Sequence, residues 1–296
     1  MMTNVLLLGA NGQLGFELQR SKPTNAKLIA LTRAEFDLAD PSHIRSAHME
    51  KLITSHQPDI VINASAYTAV DKAEEESDLA FAANAEAIKD LAIICSEQHI
   101  RLIHISTDFV FDGQSSQPYK TTDTVAPQNV YGCSKAEGEH LLFQYHPKAT
   151  CIRTSWVYSS HGNNFVKTML RLMNERGSIS VVADQIGSPT WANDLANMLW
   201  HIAPMDISGY LHWSNQGIAS WYDFANAIYL LGRQRGLLNN ACEIQPISTA
   251  EYPTPAKRPA YSLLDKNETI EKIKHVPAHW LAALNKMLQE LVVEQP

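Results

Sequence analysis

Apolar residues in this chain fall into short uninterrupted runs, separated by longer stretches where they recur at helical spacing. Val5–Leu8 is the first run. A glycine-punctuated segment, Gly9 to Gly15, follows it, and Phe16–Arg20 has helical character. Further runs of strand length stand at Lys27–Leu31, Asp59–Asn63, Arg101–Ser106 and Thr150–Arg153. Between them, helical stretches are expected at about Pro41–His56, Ala73–Glu97 and Ser134–Tyr145. A continuous apolar run bounded by turn residues suits a strand covered on both faces. Strands alternating with helices imply right-handed crossovers, and so an α/β fold with a Rossmann-like, doubly wound parallel sheet. From about residue 160 the rhythm loosens, and Trp191, Trp200, Trp213, Trp221 and Trp280 all fall there. This divides the chain into residues 1–158 and a smaller lobe, 159–296, expected to interleave with the last strands of the sheet. Its tail, Trp280–Val293, reads as an amphipathic helix.

Composition narrows the function classes. The 296 residues are 45% apolar and 19% charged, enough to bury a sizeable core, which excludes wholesale disorder. A net charge of −7 without a basic run argues against nucleic acid or an anionic membrane as partner. No stretch approaches the roughly 18 apolar residues of a membrane span. Met1 to Asn4 lack a basic n-region, and Val5–Leu8 is too short for a signal segment. Cys95, Cys133, Cys151 and Cys242 form no CxxC pair, so they read as reduced thiols of a cytoplasmic protein without a zinc site. The histidines contain no HExxH, and no catalytic metal is expected.

The candidate chemistry begins at Gly9-x-x-Gly12-x-x-Gly15, between a strand and a helix. Glycines there let the backbone approach a pyrophosphate, and the helix N-terminus offers free N–H groups and a positive dipole end. At the end of the second strand stand Thr32 and Arg33, with no acid at position 32. An arginine there accommodates a ribose 2′-phosphate, which favours NADPH. Tyr131 and Lys135 are four apart, on one face of a helix. An ammonium beside a phenol favours its ionised form and makes it an acid–base group. Such a pair alone is common. It gains weight from Thr107, which closes a strand 24 residues earlier and can support charge on a substrate oxygen.

In this constellation the sequence resembles the extended short-chain dehydrogenase/reductases, and within them the dTDP-4-dehydrorhamnose reductase family. Asn63–Glu74 resembles the family's NAAA(H/Y)TAVDKAE segment, and Ser106–Gly113 its STDYVFDG. Arg153–Tyr158 with Gly162–Phe165, Asp184–Thr190, and Pro253–Pro259 match further blocks. The likeness runs from about residue 5 to residue 265.

The resemblance implies NAD(P)H-dependent reduction of the C4 ketone of dTDP-4-dehydro-L-rhamnose, with Tyr131 as general acid, Lys135 tuning it and Thr107 on the carbonyl oxygen. It makes 1–158 the NAD(P)-binding domain and 159–296 the substrate-binding lobe. It places Gly9, Asn11, Gly12, Gln13, Leu14, Gly15, Arg33, Asp37, Leu38, Ala64, Ala66, Tyr67, Thr68, Tyr131 and Lys135 around the cofactor. Thr107, Asp108, Trp156, Asn164 and Arg258 fall to the dTDP-sugar, Arg258 as a bidentate grip on its diphosphate. Some relatives hold Mg²⁺ between two subunits through glutamates. Glu17 and Glu290 match two of these, but Asn193 stands at the third, which puts the metal in doubt; a homodimer is a partner the resemblance allows. Two alternatives stay open: a reductase of a related dTDP-4-keto sugar, and a non-catalytic binding subunit on the same fold.

Overall fold

A computed structural model describes residues 2–293; residue 1 and residues 294–296, at the outer ends of the two expected domains, lie outside the described residues. The first half follows the expected alternation. Its elements are β1 (Thr3–Leu8), α1 (Gln13–Arg20), β2 (Ala26–Leu31), α2 (Ser42–His56), β3 (Ile60–Asn63), α3 (Ser77–Phe81), α4 (Ala87–Glu97), β4 (Arg101–Thr107), α5 (Val130–Tyr145) and β5 (Thr150–Thr154). The second half contributes β6 (Val157–Tyr158), α6 (Phe165–Glu175), β7 (Ser178–Val182), β8 (Ile186–Gly187), β9 (Thr190–Trp191), α7 (Ala192–Ile202), β10 (Gly209–His212), β11 (Ala219–Ser220), α8 (Trp221–Gln234), β12 (Glu243–Ile247), α9 (Asn267–Ile273) and α10 (Trp280–Val293).

Six strands form one sheet in the order β10-β5-β4-β3-β1-β2, every pair parallel. Successive residues of a strand face opposite sides, and both sides are covered here. Leu6, Leu8, Val61 and Leu102 pack with Met49, Ile53, Leu91 and Ile94 of α2 and α4. Val5, Leu7, Ile62 and Ile103 pack with Leu18 of α1 and Leu195, Leu199 and Trp200 of α7. That double cover explains the continuous apolar runs. Each fully buried leucine contributes about 1.5–3 kcal/mol. The strand order reverses between β1 and β3, and a crevice opens there at the carboxyl ends of the strands.

One expected helix is broken. Residues 73–97 fold as a 3₁₀ turn, α3, a π turn at Ala82–Glu86, and α4. The π turn presents Asn84, whose amide both donates to the Tyr67 carbonyl (3.0 Å) and accepts from the Tyr67 N–H (2.9 Å). A side-chain bond to loop backbone has taken over where a straight helix would carry its turn past the loop.

The second half has its own core of Tyr158, Met169, Phe224, Ile228, Trp280, Leu284 and Met287, beside three two-stranded sheets. It also returns α7 and β10 to the first half. All four cysteines are free. Among the described residues, no helix is long and apolar enough to cross a membrane.

Candidate active site

The glycine turn works by three separate means. Gly9 takes φ +89°, where a side chain is strained. A Cβ on Gly15 would lie 2.1 Å from the Gly9 carbonyl oxygen, so only glycine lets α1 come this close to the turn. Gly12 is the N-cap of α1 and brings no side chain to its free N–H groups. Uncovered N–H groups at a helix N-terminus attract phosphate oxygens.

A cleft of about 1070 Å³ opens above this turn, between the carboxyl ends of the strands and the second half. Gly9, Asn11, Gly12, Gln13, Leu14, Arg33, Ala64, Ala66 and Thr68 line it, with Tyr131 and Lys135. Four residues expected around a cofactor do not. Gly15 sits behind the turn, and Leu38 is buried in the core with Phe36. Asp37 pairs with Arg33 at 2.9 Å and accepts from the Ala39 N–H. The Tyr67 hydroxyl donates to Glu76 at 2.6 Å. Arg33 itself stands at the rim, its side chain 73% exposed.

At the centre of the cleft, α5 presents Tyr131 and Lys135. The Asn129 side chain starts this helix by accepting from the Gly132 N–H at 2.7 Å. Thr107 ends β4; its hydroxyl donates to Asp108 Oδ1 (3.0 Å) and accepts from the Phe109 N–H (3.2 Å). Burial pushes the Tyr131 phenol up to about 12, the Thr107 hydroxyl pulling it down and Asp108 pushing it further up. Burial draws the Lys135 ammonium down to about 8. Asp108 is raised by burial to about 6, against hydrogen bonds from Ser262 and Thr107. Its Oδ2 and the Ser106 hydroxyl are buried without a partner. Among the described residues the cleft wall carries no cysteine or histidine. Its centre is therefore suited to giving protons and hydrogen bonds to an oxygen, with no thiol or imidazole nucleophile at hand.

The far end belongs to the second half. Trp156 takes φ +47°, an outlier for a bulky side chain, and stacks on Trp221 at 3.6 Å. Gly187 makes room, since a Cβ there would be 2.8 Å from the Trp156 indole. Strain held in place this firmly is found at binding sites. Arg258 reaches the wall, but Asp71 holds its Nη2 at 2.7 Å. Its Nη1 is buried and unpartnered, so half of the expected bidentate fork remains. Asn164 caps α6, and its amide donates to Gln13 (2.9 Å) and to the Ser159 carbonyl (2.7 Å). Asn164 lines the cleft, and its two donors tie the halves together there. Sequence reasoning missed Arg176, Gln185, Trp221 and Tyr252, which also line the wall. Arg176, Trp221 and Tyr252 come from the end of α6 and from separate later segments, so no local spacing marks them; Gln185 stands in the Asp184–Thr190 block, which pointed to it without giving it a role.

Glu17, Glu290 and Asn193 do come together, around a cation the chain itself supplies. Arg20 bonds Glu17 at 2.7 Å and Glu290 at 2.8 Å. Ser159 and the Asn193 amide donate to the two Glu17 oxygens at 2.6 and 3.1 Å. Mg²⁺ needs free oxygen ligands, and here a guanidinium and an amide donor hold the fully buried Glu17 carboxylate. These residues do not fit the metal. Among the described residues, no group of three or more His, Cys, Asp or Glu side chains is placed to hold one.

Comparison with known proteins places these features. A family model described as RmlD substrate binding domain matches residues 2–293. A dTDP-4-dehydrorhamnose reductase of Aggregatibacter actinomycetemcomitans is 41% identical, over 97% of this chain and 98% of its own. The spore coat polysaccharide biosynthesis protein SpsK of Bacillus subtilis is also 41% identical, over 98% of each chain. The crystal structure of the Bacillus anthracis dTDP-4-dehydrorhamnose reductase in complex with NADP superposes with a TM-score of 0.91 at 36% identity, covering 98% of this chain and all of that one.

Proposed function

The chain belongs to the RmlD substrate binding domain family, and from that membership we infer that it is an NAD(P)H-dependent oxidoreductase reducing the C4 ketone of dTDP-4-dehydro-L-rhamnose to dTDP-L-rhamnose. The observation that carries this reading is one cleft joining an uncapped glycine turn to a protonated phenol, a buried lysine and a strand-end hydroxyl. When bound, the dinucleotide supplies the hydride. Gly9, Gly12 and the N–H groups of α1 hold its pyrophosphate, and Arg33 at the rim meets a 2′-phosphate.

The chain's own residues handle the proton. Negative charge developing on the sugar O4 is met by the Tyr131 phenol, which delivers its proton there. The Thr107 hydroxyl, whose proton lies on Asp108 Oδ1 in the free protein, turns to support the same oxygen. Lys135 stabilises the resulting phenolate and bonds the cofactor ribose. The stacked Trp156 offers an apolar face to the deoxysugar, and the unpartnered Asp108 Oδ2 takes one of its hydroxyls. Arg258, through Nη1, and Arg176 are the cations closest to hand for the diphosphate.

We keep the division of the sequence reading, 1–158 for the cofactor and 159–296 for the sugar nucleotide, interleaved through α7 and β10, with Thr107, Asp108 and Trp156 of the first part also meeting the sugar. A cytoplasmic location suits the free cysteines. Whether the chain forms a homodimer is read by light scattering on the purified protein.

The test is cofactor oxidation with enzymatically made dTDP-4-dehydro-L-rhamnose and identification of the product sugar. Oxidation giving dTDP-L-rhamnose is expected. Turnover only with another dTDP-4-keto sugar points to a sister pathway, and none with any keto sugar points to a binding subunit.

A further inference from the structure

Lys135 is held by a line of buried groups that the reaction itself does not use. Its Nζ donates to the Ile105 carbonyl at 2.7 Å and meets His104 Nε2 at 3.1 Å. His104 Nδ1 faces the Asn63 amide nitrogen at 3.1 Å, and the Ser65 N–H donates to Asn63 Oδ1 at 3.0 Å. Asn63, His104 and Lys135 are each about 1% exposed. His104 does not line the cleft, so its place in this line is behind the lysine.

The order of donors along the line has a consequence. The Ser65 N–H can bond only the oxygen of the Asn63 amide, so the amide nitrogen must face the imidazole. That nitrogen donates, so His104 Nδ1 must accept. A neutral imidazole then carries its proton on Nε2, directed at Lys135 Nζ. An ammonium has three donors and no acceptor, so it cannot take this bond, whereas a neutral amine can. Protonating Lys135 therefore requires the imidazole proton to move to Nδ1 and the Asn63 amide to turn over, which strands the Ser65 N–H.

From this geometry we propose that His104, oriented by Asn63 and Ser65, is a positioning residue that couples its own tautomer to the protonation of Lys135. The inference rests on Lys135 acting beside Tyr131 as described above. The remaining groups around the lysine do not supply the same control. Glu139, one turn along α5, is committed to Arg153 on β5 at 2.7 Å, and Cys151 on β5 is a thiol that burial pushes well up. Lys135 and His104, both lowered through burial first and His104 also by the lysine's charge, agree with a line that resists a second positive charge.

Two substitutions reverse the order of donors. Asn63→Asp accepts from both Ser65 N–H and His104 Nδ1–H, which leaves Nε2 as an acceptor for the ammonium. His104→Gln offers Nζ a carbonyl oxygen without adding charge. In wild type, kcat/KM for ketone reduction falls as pH rises through the lysine titration, because the amine no longer stabilises the phenolate. In both variants this basic limb should move up by about one pH unit or more. A residue that merely fills space would lower the rate without moving the limb.

The second readout needs no substrate, so it stands even if the assigned reaction fails. In ¹⁵N-histidine-labelled protein at about pH 9.5, above the lysine titration, His104 should be the Nε2–H tautomer in wild type and Nδ1–H in Asn63→Asp. A wild-type Nδ1–H tautomer at that pH overturns the proposal, and so does an unmoved basic limb in the folded variants. If Asn63→Asp does not fold, His104→Gln carries the kinetic test and the wild-type spectrum carries the other.

Discussion

Gly15→Ala and Gly12→Ala differ by three positions in one turn and should fail in different ways. At Gly15 the added methyl would lie 2.1 Å from the Gly9 carbonyl oxygen and 2.9 Å from Ala10, both backbone. Backbone cannot swing aside as a side chain would, so the overpacking penalty falls at the upper end of its range, about 3 kcal/mol. Alanine returns about 1 kcal/mol of helix propensity. The net loss is about 2 kcal/mol, which lowers Tm by roughly 3 °C in a chain of this size. At Gly12 the methyl meets nothing closer than 3.4 Å, and as an N-cap change it should lower stability by under about 1 kcal/mol. It does, however, stand on the cleft wall where phosphate oxygens must approach the helix N-terminus. NADPH affinity should therefore drop about tenfold or more, equivalent to about 1.4 kcal/mol. Thermal unfolding by circular dichroism and fluorescence titration with NADPH separate the two effects. A Gly15→Ala protein that melts at or above wild type would refute the packing argument.

Tyr131→Phe keeps the ring and removes the proton; turnover should fall by about 10²–10⁴ with NADPH affinity unchanged, and near-normal turnover would remove the acid role. Arg33→Ala should raise the Kd for NADPH and leave that for NADH alone, because its side chain is free at the rim apart from Asp37; equal effects would make it a bystander. Arg258→Ala should raise KM for the dTDP-sugar without changing NADPH binding. It also releases Asp71, so Asp71→Asn is the control for loss of the ion pair alone. Stability should fall as pH drops below about 6.5. The depressed His104 and His212, the latter at about 3, stay neutral in the fold while the unfolded chain takes up their protons. Asp108, raised to about 6, and Asp194, also raised by burial, work in the opposite direction, while His275, lowered by burial, adds to the loss. A urea midpoint that is flat or rising from pH 7 to pH 5 would contradict this balance.

The first half was legible because its signals are local. A strand covered on both faces writes an unbroken apolar run, and the Gly9–Gly15 turn writes its glycines where φ or close approach demands them. Tyr131, Lys135 and Thr107 could be read as a set because the strand end and helix start that carry them follow the sheet in order. What escaped depends on residues far apart in sequence. Asp71 and Arg258 are 187 positions apart, yet their pairing removes half of the guanidinium fork that sequence reasoning assigned to a diphosphate. Asn164 does line the cleft, but its amide donates to Gln13, 151 positions away, a partner that no local spacing announces. Glu17 read as the match of a metal-binding glutamate, and it is instead fully buried and held by Arg20. The break at Ala82–Glu86 is invisible in an alanine-rich run, since the loop that Asn84 holds lies outside it.

The late return of α7 and β10 to the sheet bears on how the protein is made. A ribosome releases β1 to β5 well before residues 192–212, so the nascent chain holds a sheet with β5 as an open edge. The side that Leu195, Leu199 and Trp200 will cover is bare at the same time. Unpaired edges and exposed apolar faces invite association with other chains. The interval between the emergence of Thr154 and that of His212 is thus the window in which the growing chain most needs a chaperone. Slow translation within it prolongs the exposure, whereas a pause after His212 gives the sheet time to close.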